Sequence, residues 1–185
     1  MQIETERLTL REFVPHDWQA MAHYWADPRY ARFYPERDDA GAFVRVLVDR
    51  FVAAQGDDPR LAWQLAIVER ASGTMIGNCG IRINDPAVRE ANIGYELNPA
   101  FWGLGYATEA AASILRFGFQ DLQLHRIWAE CISENSGSIR VLEKLGMRRE
   151  GHFHQHQWFH ERWWDTLVYA ILEQEWPALA AVSVG

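Results

Sequence analysis

Residues 93–119 of the chain read IGYELNPAFWGLGYATEAAASILRFGF. Apolar residues alternate with Gly94 and Glu96 over 93–97, which is the period of a strand. Asn98 and Pro99 then stop the strand. From Ala107 onward the apolar residues recur at spacings of three and four, which is typical of an amphipathic helix. The segment therefore predicts a strand, a glycine-rich turn and a helix.

The turn carries Gly103 and Gly105 just before the helix. The first turn of a helix leaves backbone N–H groups unpaired, and the helix dipole favours negative charge there. Glycine lets an anion approach those donors, because no side chain holds it away. Residues 103–108 thus suit a phosphate cradle. A tight strand-to-helix turn without a ligand is the alternative that the residues leave open.

Composition narrows the class of protein. The 185 residues are 49% hydrophobic and 23% charged, which predicts one globular domain over 1–185. The net charge of −7 argues against a general nucleic-acid binder. The charged, alternating start is unlike a signal peptide, and the apolar runs are too short to cross a membrane. Cys79 and Cys131 lie in strand-like segments, which favours buried thiols and a cytoplasmic location.

Periodicity predicts six further strands and three further helices. The strands are expected at 3–13, 61–69, 75–83, 125–132, 147–157 and 162–172, and the helices at 15–25, 39–55 and 135–145, with 29–35 as a loop. Asn135 caps the last helix and Gly146 ends it. The order β-α-α-β-β-β-α-β-α-β-β, with short turns between the middle strands, predicts an α/β fold built on a mixed sheet.

Several short motifs together resemble the GCN5-related N-acetyltransferases (GNAT), over nearly the whole chain. They are Gly94-Tyr95-Glu96-Leu97, the run Trp102-Gly103-x-Gly105-Tyr106-Ala107-Thr108-Glu109-Ala110, Asn135-x-x-Ser138 and Glu143-Lys144-Leu145-Gly146. The start, Glu4-Thr5-Glu6-Arg7-Leu8, and the ending, Trp164-Asp165 to Tyr169 with Glu175-Trp176, are similar to the RimJ/RimL-like branch, which acetylates ribosomal-protein N-termini. The resemblance implies a central, mostly antiparallel sheet flanked by helices.

The resemblance also implies acetyl-CoA as the cosubstrate and divides the chain by role. Residues 1–58 would form the N-terminal strand and the substrate-side helices, 61–132 the acetyl-CoA-binding core, and 133–176 the C-terminal helix and strands. The pantetheine arm is expected in a gap between the strands at 91–97 and 125–132. The implied acetyl-CoA-binding residues are Leu97, Trp102, Gly103, Leu104, Gly105, Tyr106, Ala107, Thr108, Asn135 and Ser138.

Two positions depart from the family pattern. Ala100 replaces a common Gln or Arg, which matters little because backbone groups bind the phosphates. Leu142 stands where many members have a tyrosine general acid. A thiol of pKa about 8.5 is only about 1.4 kcal/mol from its anion near pH 7.5, so this loss need not abolish turnover. We expect Ser138 to donate a hydrogen bond to the departing sulfur instead; a purely local helix bond is the alternative.

The acceptor must be a neutral amine. An α-amine of pKa about 7.7–8.0 is partly neutral at pH 7.5, whereas lysine at about 10.4 lies roughly 4 kcal/mol uphill. A site with weak acid–base groups therefore favours an α-amine. Glu96, at the strand end before the turn, is the predicted base, and a solvated strand-end glutamate is the alternative.

Two other groups of residues are candidates for specificity or ligation. The mixed aromatic and basic segment after the first helix is predicted to bind substrate, with ordinary loop packing as the alternative; its residues are Arg29, Tyr30, Arg32, Phe33 and Tyr34. His152, His154 and His156 alternate and so could share one face of the sheet; this pattern permits a metal site, but a solvent-facing or substrate-rim row of histidines is the preferred interpretation. Acyl transfer to an amine needs no metal, and none is expected.

The sequence thus predicts an acetyl-CoA-dependent N-acetyltransferase acting on a protein or peptide N-terminus, without nucleic-acid or membrane partners. Two alternatives stay open. One is acetylation of a small amine such as a polyamine, an amino acid or an antibiotic. The other is a non-catalytic acyl-CoA-binding sensor. The sequence also leaves a homodimer open.

Overall fold

The computed structural model describes residues 1–176. Its strands are β1 (Gln2–Glu4), β2 (Leu8–Glu12), β3 (Ala62–Glu69), β4 (Met75–Asp85), β5 (Glu90–Leu97), β6 (Arg126–Ile132), β7 (Arg148–Phe159) and β8 (Arg162–Leu172). Its α-helices are α1 (Trp18–Trp25), α2 (Pro28–Ala31), α3 (Ala40–Ala53), α4 (Tyr106–Gln120) and α5 (Ser136–Lys144). The strands form one sheet in the order β1-β2-β3-β4-β5-β6-β8-β7. Only the β5–β6 pair among them is parallel, so the predicted mostly antiparallel mixed sheet is confirmed.

Two predicted elements were wrong, each because of local side-chain hydrogen bonds to the backbone. The strand expected at 3–13 is divided into β1 and β2, since the Thr5 backbone N–H donates to the Leu8 carbonyl (2.9 Å) and the Leu8 N–H donates to Thr5 Oγ1 (3.0 Å), closing a tight hairpin. The loop expected at 29–35 begins as the short helix α2. Asp27 caps it by accepting from the Arg29 N–H (2.9 Å), and Pro28 fits the first helical position.

The helices cover both faces of the sheet. Successive residues of β3 show the division: Leu65 and Ile67 pack in a core with α4 and α5, while Ala66 packs in a second core with α1 and α3. This alternation is the consequence of the strand's two-residue period. Within residues 1–176, none of the helices combines the length and the apolar character needed to cross a membrane.

The middle of the sheet opens between β5 and β6. Their pairing covers only residues 90–92 of β5 against 126–128 of β6. Beyond it, β5 stays paired with β4 as far as Leu97, and β6 stays paired with β8 as far as Ile132. Each strand is thus held from its outer side while the inner sides diverge. The gap predicted between these two strands is present.

Candidate active site

A cavity of about 730 Å³ occupies the opening between β5 and β6. Its wall reaches from Tyr30 and Tyr34 on the α1–α3 face, past Glu96 and Tyr95, to the glycine turn and the start of α5. The cavity therefore connects the two faces of the sheet where β5 and β6 separate. Any ligand that crosses from one face to the other here passes the C-terminal half of β5.

The glycine turn forms one end of this cavity. Gly103 and Gly105 have φ of 79° and 84°, in the left-handed region that favours glycine, and α4 begins at Tyr106. The backbone N–H of Glu109 donates the first helical hydrogen bond, to the Gly105 carbonyl in the turn (3.0 Å). The N–H groups of the residues before Glu109 are therefore those that a helix leaves for an external acceptor. The turn fits a pyrophosphate group.

Thr5 and Arg7, near the N-terminus, brace this turn through Glu109, and this contact was not predicted from the sequence. Glu109 accepts from Thr5 Oγ1 (2.6 Å), the Arg7 N–H (2.9 Å) and Arg7 Nε (2.7 Å). Arg7 Nη1 also donates to the Leu104 carbonyl (2.9 Å), inside the turn. Burial alone would raise the pKa of Glu109, but these donors outweigh it, and the pKa is lowered. The motif at residues 4–8 was the available signal.

Replacing Glu109 with glutamine is expected to destabilise the fold and loosen the turn. The variant weakens charge-assisted hydrogen bonds in a part-buried site, so the free energy of unfolding should fall by about 1–3 kcal/mol. Because the pKa of Glu109 is lowered in the fold, this stabilisation is present above the unfolded carboxyl pKa and lost as the pH falls through the folded one. Urea unfolding of both proteins at pH 7 and pH 4 measures it. Glu173→Gln, at an exposed ion pair with Arg89, is the matched control.

Glu96 lies on the wall of the cavity, on the side of α1. Its Oε2 accepts from Asn78 Nδ2 (2.9 Å), Trp25 Nε1 (3.3 Å) and the Tyr24 hydroxyl (3.4 Å). Burial raises the pKa of Glu96, although these hydrogen bonds oppose the rise. A carboxylate in this setting is a stronger base than an exposed one and has its orientation fixed.

A chain of hydrogen-bonded side chains, Arg82–Gln64–Asn78, lies behind Glu96 and fixes the orientation of Asn78. Asn78 faces Glu96 across the β4–β5 register, and its Oδ1 accepts from Gln64 Nε2 (2.5 Å). Gln64 Oε1 in turn accepts from the Arg82 guanidinium. Because the amide oxygen of Asn78 is engaged by Gln64, its NH₂ group must face Glu96. Sequence reasoning missed Gln64, Asn78 and Arg82, although their alternation on paired strands placed them on the Glu96 face.

The other side of β5 carries a second polar group at the cavity wall. The Tyr95 hydroxyl lies 2.8 Å from Ser138 Oγ and 3.1 Å from the Ser138 carbonyl oxygen. Asn135 caps α5 as predicted, by accepting from the Ser138 N–H (3.1 Å). From the sequence, Tyr95 was identified only as a strand residue and as a member of the Gly94-Tyr95-Glu96-Leu97 motif. The structure brings its hydroxyl to the predicted sulfur-side donor.

The predicted substrate-binding residues divide into two sets. Tyr30, Phe33 and Tyr34 line the cavity, and the Tyr30 and Tyr34 rings stack with centroids 4.6 Å apart. The Tyr30 hydroxyl is buried and has no hydrogen-bond partner within residues 1–176. Arg29 and Arg32 lie outside the wall, where Arg29 pairs with Asp27 (2.7 Å) and Arg32 lies 3.4 Å from Glu134.

Most residues implied for acetyl-CoA come together on the same wall. Those lining the cavity are Leu97, Trp102, Gly103, Gly105, Tyr106, Ala107, Thr108, Asn135 and Ser138. Leu104 is outside this set, with its side chain exposed and its carbonyl engaged by Arg7. Trp102 Nε1 donates to the Leu97 carbonyl (2.9 Å), which ties the turn to the end of β5.

The predicted histidine row is split by an irregularity in β7. Phe153 pairs with Thr166 and Gln157 pairs with Trp164. In the strand register, residues 154–156 of β7 therefore lie opposite a single residue of β8, Asp165. Asp165 Oδ2 contacts His152 Nε2 (2.7 Å) and His154 Nδ1 (3.1 Å). His156 instead contacts Thr166 Oγ1 (3.1 Å), on the opposite side of β8. The prediction that all three histidines share one face was therefore wrong.

The chain belongs to the GNAT acetyltransferase family, since residues 7–148 match the family model described as "Acetyltransferase (GNAT) domain". It is therefore an N-acetyltransferase of a family that uses acetyl-CoA. It is 39% identical to the N-acetyltransferase YnaD of Bacillus subtilis over 180 residues, covering 95% of this chain and 99% of that one.

Two solved structures show the same architecture at comparable coverage. A GNAT-family acetyltransferase from Bacillus anthracis is 34% identical with a TM-score of 0.83, covering 95% of this chain and all of the other. Mycobacterium smegmatis RimJ in complex with CoA-disulfide is 26% identical with a TM-score of 0.80, covering 95% and 89%. The resemblance to the RimJ/RimL-like branch agrees with these matches.

Proposed function

We propose that this protein acetylates the α-amine at the N-terminus of a peptide or protein, using acetyl-CoA. The observation that carries the proposal is the placement of Glu96 and Ser138 on the wall of one cavity, with the glycine turn at its end. Bound acetyl-CoA supplies an acetyl group activated as a thioester. Gly103, Gly105 and the N–H groups at the start of α4 would hold its pyrophosphate, and Asn135 and Ser138 would contact the arm and the thioester end.

Glu96 is the proposed base. Asn78, Trp25 and Tyr24 all donate to one oxygen, Oε2, so the other oxygen, Oε1, would take a proton from the amine directly or through one water. The same carboxylate attracts an incoming ammonium group. Its raised pKa brings it closer to that of an α-amine and so makes the proton transfer less unfavourable.

Ser138 is the proposed hydrogen-bond donor to the sulfur. Its backbone N–H is already used by Asn135, so the helix cap and the hydroxyl have separate partners. Leu142, at the position of the family's usual tyrosine, is fully buried and offers no donor. As negative charge gathers on the sulfur, a donor fixed beside it stabilises that charge.

The acceptor proposal is supported by the chemistry of the wall and by the similarity to RimJ. Three aromatic residues, Tyr30, Phe33 and Tyr34, would enclose the first residue of a peptide beside Glu96. The Tyr30 hydroxyl, buried beside Glu96, would bind a backbone or ammonium group of the acceptor. Arg29 and Arg32, outside the wall, would contact later residues of the peptide. The two buried free thiols support a cytoplasmic location.

Two other functions are separated from this one by simple measurements. A small-amine acetyltransferase would gain nothing in kcat/KM when its acceptor is lengthened from one residue to several. A non-catalytic acyl-CoA sensor would bind acetyl-CoA and turn over no amine. Glu96, with its ordered donors, favours the catalytic interpretation over the sensor.

The test is amine-dependent release of CoA thiol near pH 8. The panel contains peptides of one to six residues with Ser, Ala or Met at the N-terminus, the same peptides with a blocked N-terminus, polyamines, amino acids and aminoglycosides. The proposal expects release with free N-terminal peptides, a rise in kcat/KM with length, and no release when the N-terminus is blocked. Release of CoA thiol only with small amines would show that the acceptor is a small amine and not a peptide. Binding of acetyl-CoA without release of thiol in the presence of any amine would favour the sensor.

A further inference from the structure

Tyr95 and Glu96 are consecutive on β5, so their side chains leave opposite faces of the sheet. Glu96 meets α1 residues through Tyr24 and Trp25, while the Tyr95 hydroxyl meets Ser138 at the start of α5. Both residues line the cavity, because the sheet is open beside them. One strand therefore supports the amine side and the sulfur side of the same site.

The geometry of the Tyr95–Ser138 contact allows the phenol to be the donor. The phenol hydrogen has two acceptors within reach, Ser138 Oγ at 2.8 Å and the Ser138 carbonyl at 3.1 Å. A phenol is a better donor than an aliphatic alcohol, and Oγ is the nearer acceptor. When Tyr95 donates to Oγ, the hydroxyl hydrogen of Ser138 can turn toward the cavity, where Cys131 is its neighbour. A hydroxyl that accepts one hydrogen bond also donates the next one more strongly.

Tyr95 keeps its proton across the working range of pH. Burial raises the pKa of its phenol well above the ordinary value. It therefore stays a donor and does not become an acceptor anion that would capture the hydrogen of Ser138.

We infer that Tyr95 is a positioning residue for acyl transfer: its hydroxyl donates to Ser138 Oγ and thereby aims the Ser138 hydroxyl at the sulfur of the cosubstrate. The inference rests on the proposed function. In the transfer, the C–N bond forms, the C–S bond breaks and its electron pair stays on the sulfur. Glu96 takes the amine proton, Ser138 donates its hydrogen bond to the sulfur, and solvent supplies the proton of the released thiol.

The test is the thiol pKa of CoA bound to the protein, followed by thiolate absorbance between pH 6 and 9.5. This measurement needs no acceptor. Burial raises the pKa of Cys79 to about 12 and that of Cys131 to about 11, so neither thiol ionises appreciably over most of the range, and spectra of the protein alone correct the remainder. Tyr95→Phe keeps the ring and removes only the donor.

The inference expects a thiol pKa about half a unit to one unit higher in Tyr95→Phe than in the wild-type protein, from the loss of one hydrogen bond. Ser138→Ala should raise it at least as much, and adding Tyr95→Phe to Ser138→Ala should change nothing further. The Kd for CoA should stay within about twofold in Tyr95→Phe. Turnover of the amine found in the panel should fall about five- to tenfold in kcat, with little change in KM.

Tyr169→Phe is the matched control, because Tyr169 is another buried strand tyrosine whose hydroxyl contacts Glu143 and does not line the cavity. It should leave the thiol pKa unchanged. Equal thiol pKa values in wild type and Tyr95→Phe would overturn the inference, as would a Tyr95→Phe effect that persists at full size without Ser138. Failure of the proposed function is distinct from either result, since it is absence of turnover in the wild-type protein.

Discussion

Replacing Glu96 with glutamine is expected to lower kcat/KM for the amine by about 100-fold or more, the usual contribution of a general base. Glutamine keeps the shape of the side chain and an oxygen that accepts from Asn78, so the wall of the cavity should be preserved. The affinity for acetyl-CoA should stay within about twofold, because Glu96 is not among the residues implied for acetyl-CoA binding. Steady-state kinetics and calorimetric titration measure the two quantities.

The pH dependence gives a second signature of the same residue. A base must be deprotonated to act, so kcat/KM should fall as the pH drops through the pKa of Glu96, which burial places above the ordinary carboxyl value. The glutamine variant should lose this acidic limb and keep only the ionisation of the amine itself. Glu173→Gln, at an exposed carboxylate paired with Arg89, should behave as wild type. Wild-type turnover in Glu96→Gln would remove Glu96 as the base.

Replacing Gly105 with valine is expected to weaken acetyl-CoA binding by about 10- to 100-fold, the range for losing a hydrogen bond to a charged group. The position has φ of 84°, which a β-branched residue rarely adopts, and a Cβ there would lie 3.4 Å from the Arg7 guanidinium that braces the turn. The N–H groups at the start of α4 would then lose their common direction. Calorimetric titration with CoA measures the effect.

Gly73→Val is the control for this experiment. Gly73 also has a left-handed backbone, with φ of 68°, and a Cβ there would have no neighbour within 4 Å. It lies in the turn between β3 and β4, outside the cavity wall. Both variants should lose stability to backbone strain, by about 1–2 kcal/mol, but only Gly105→Val should lose affinity for CoA. Normal CoA binding by Gly105→Val would contradict the phosphate cradle.

The sequence predicted those parts of the fold that depend on local chemistry. The glycine turn, the Asn135 cap and the two-residue period of β5 are each set by a few neighbouring residues, and the structure has all three. The prediction was wrong where the Thr5 side chain closes a turn inside an apparent strand, and where the Asp27 cap begins a helix only four residues long.

Long-range partners could not be read from periodicity. The Thr5–Glu109 contact joins residues 104 apart, and the Tyr95–Ser138 contact joins residues 43 apart. Glu96 was predicted from its place at a strand end, but Trp25, Tyr24 and Asn78 reach it from a helix and a neighbouring strand whose packing is set by the whole sheet. The irregularity in β7 that separates His156 from His152 likewise has no clear local signal.

Because Tyr95 and Glu96 are adjacent, the site depends on which residues of β5 point to each face of the sheet. Side chains alternate between the two faces, so a shift of β5 by one residue against β4 would exchange the two groups: the phenol would face the amine and the carboxylate would face the thiol. The repulsion between a carboxylate and a charged sulfur would then oppose transfer. In the observed register, Glu96 pairs with Asn78 and Leu97 pairs with Gly77. The backbones are so close at Gly77 that a Cβ there would lie 2.1 Å from the Glu96 carbonyl oxygen. These two pairings hold β5 in the register that the site requires.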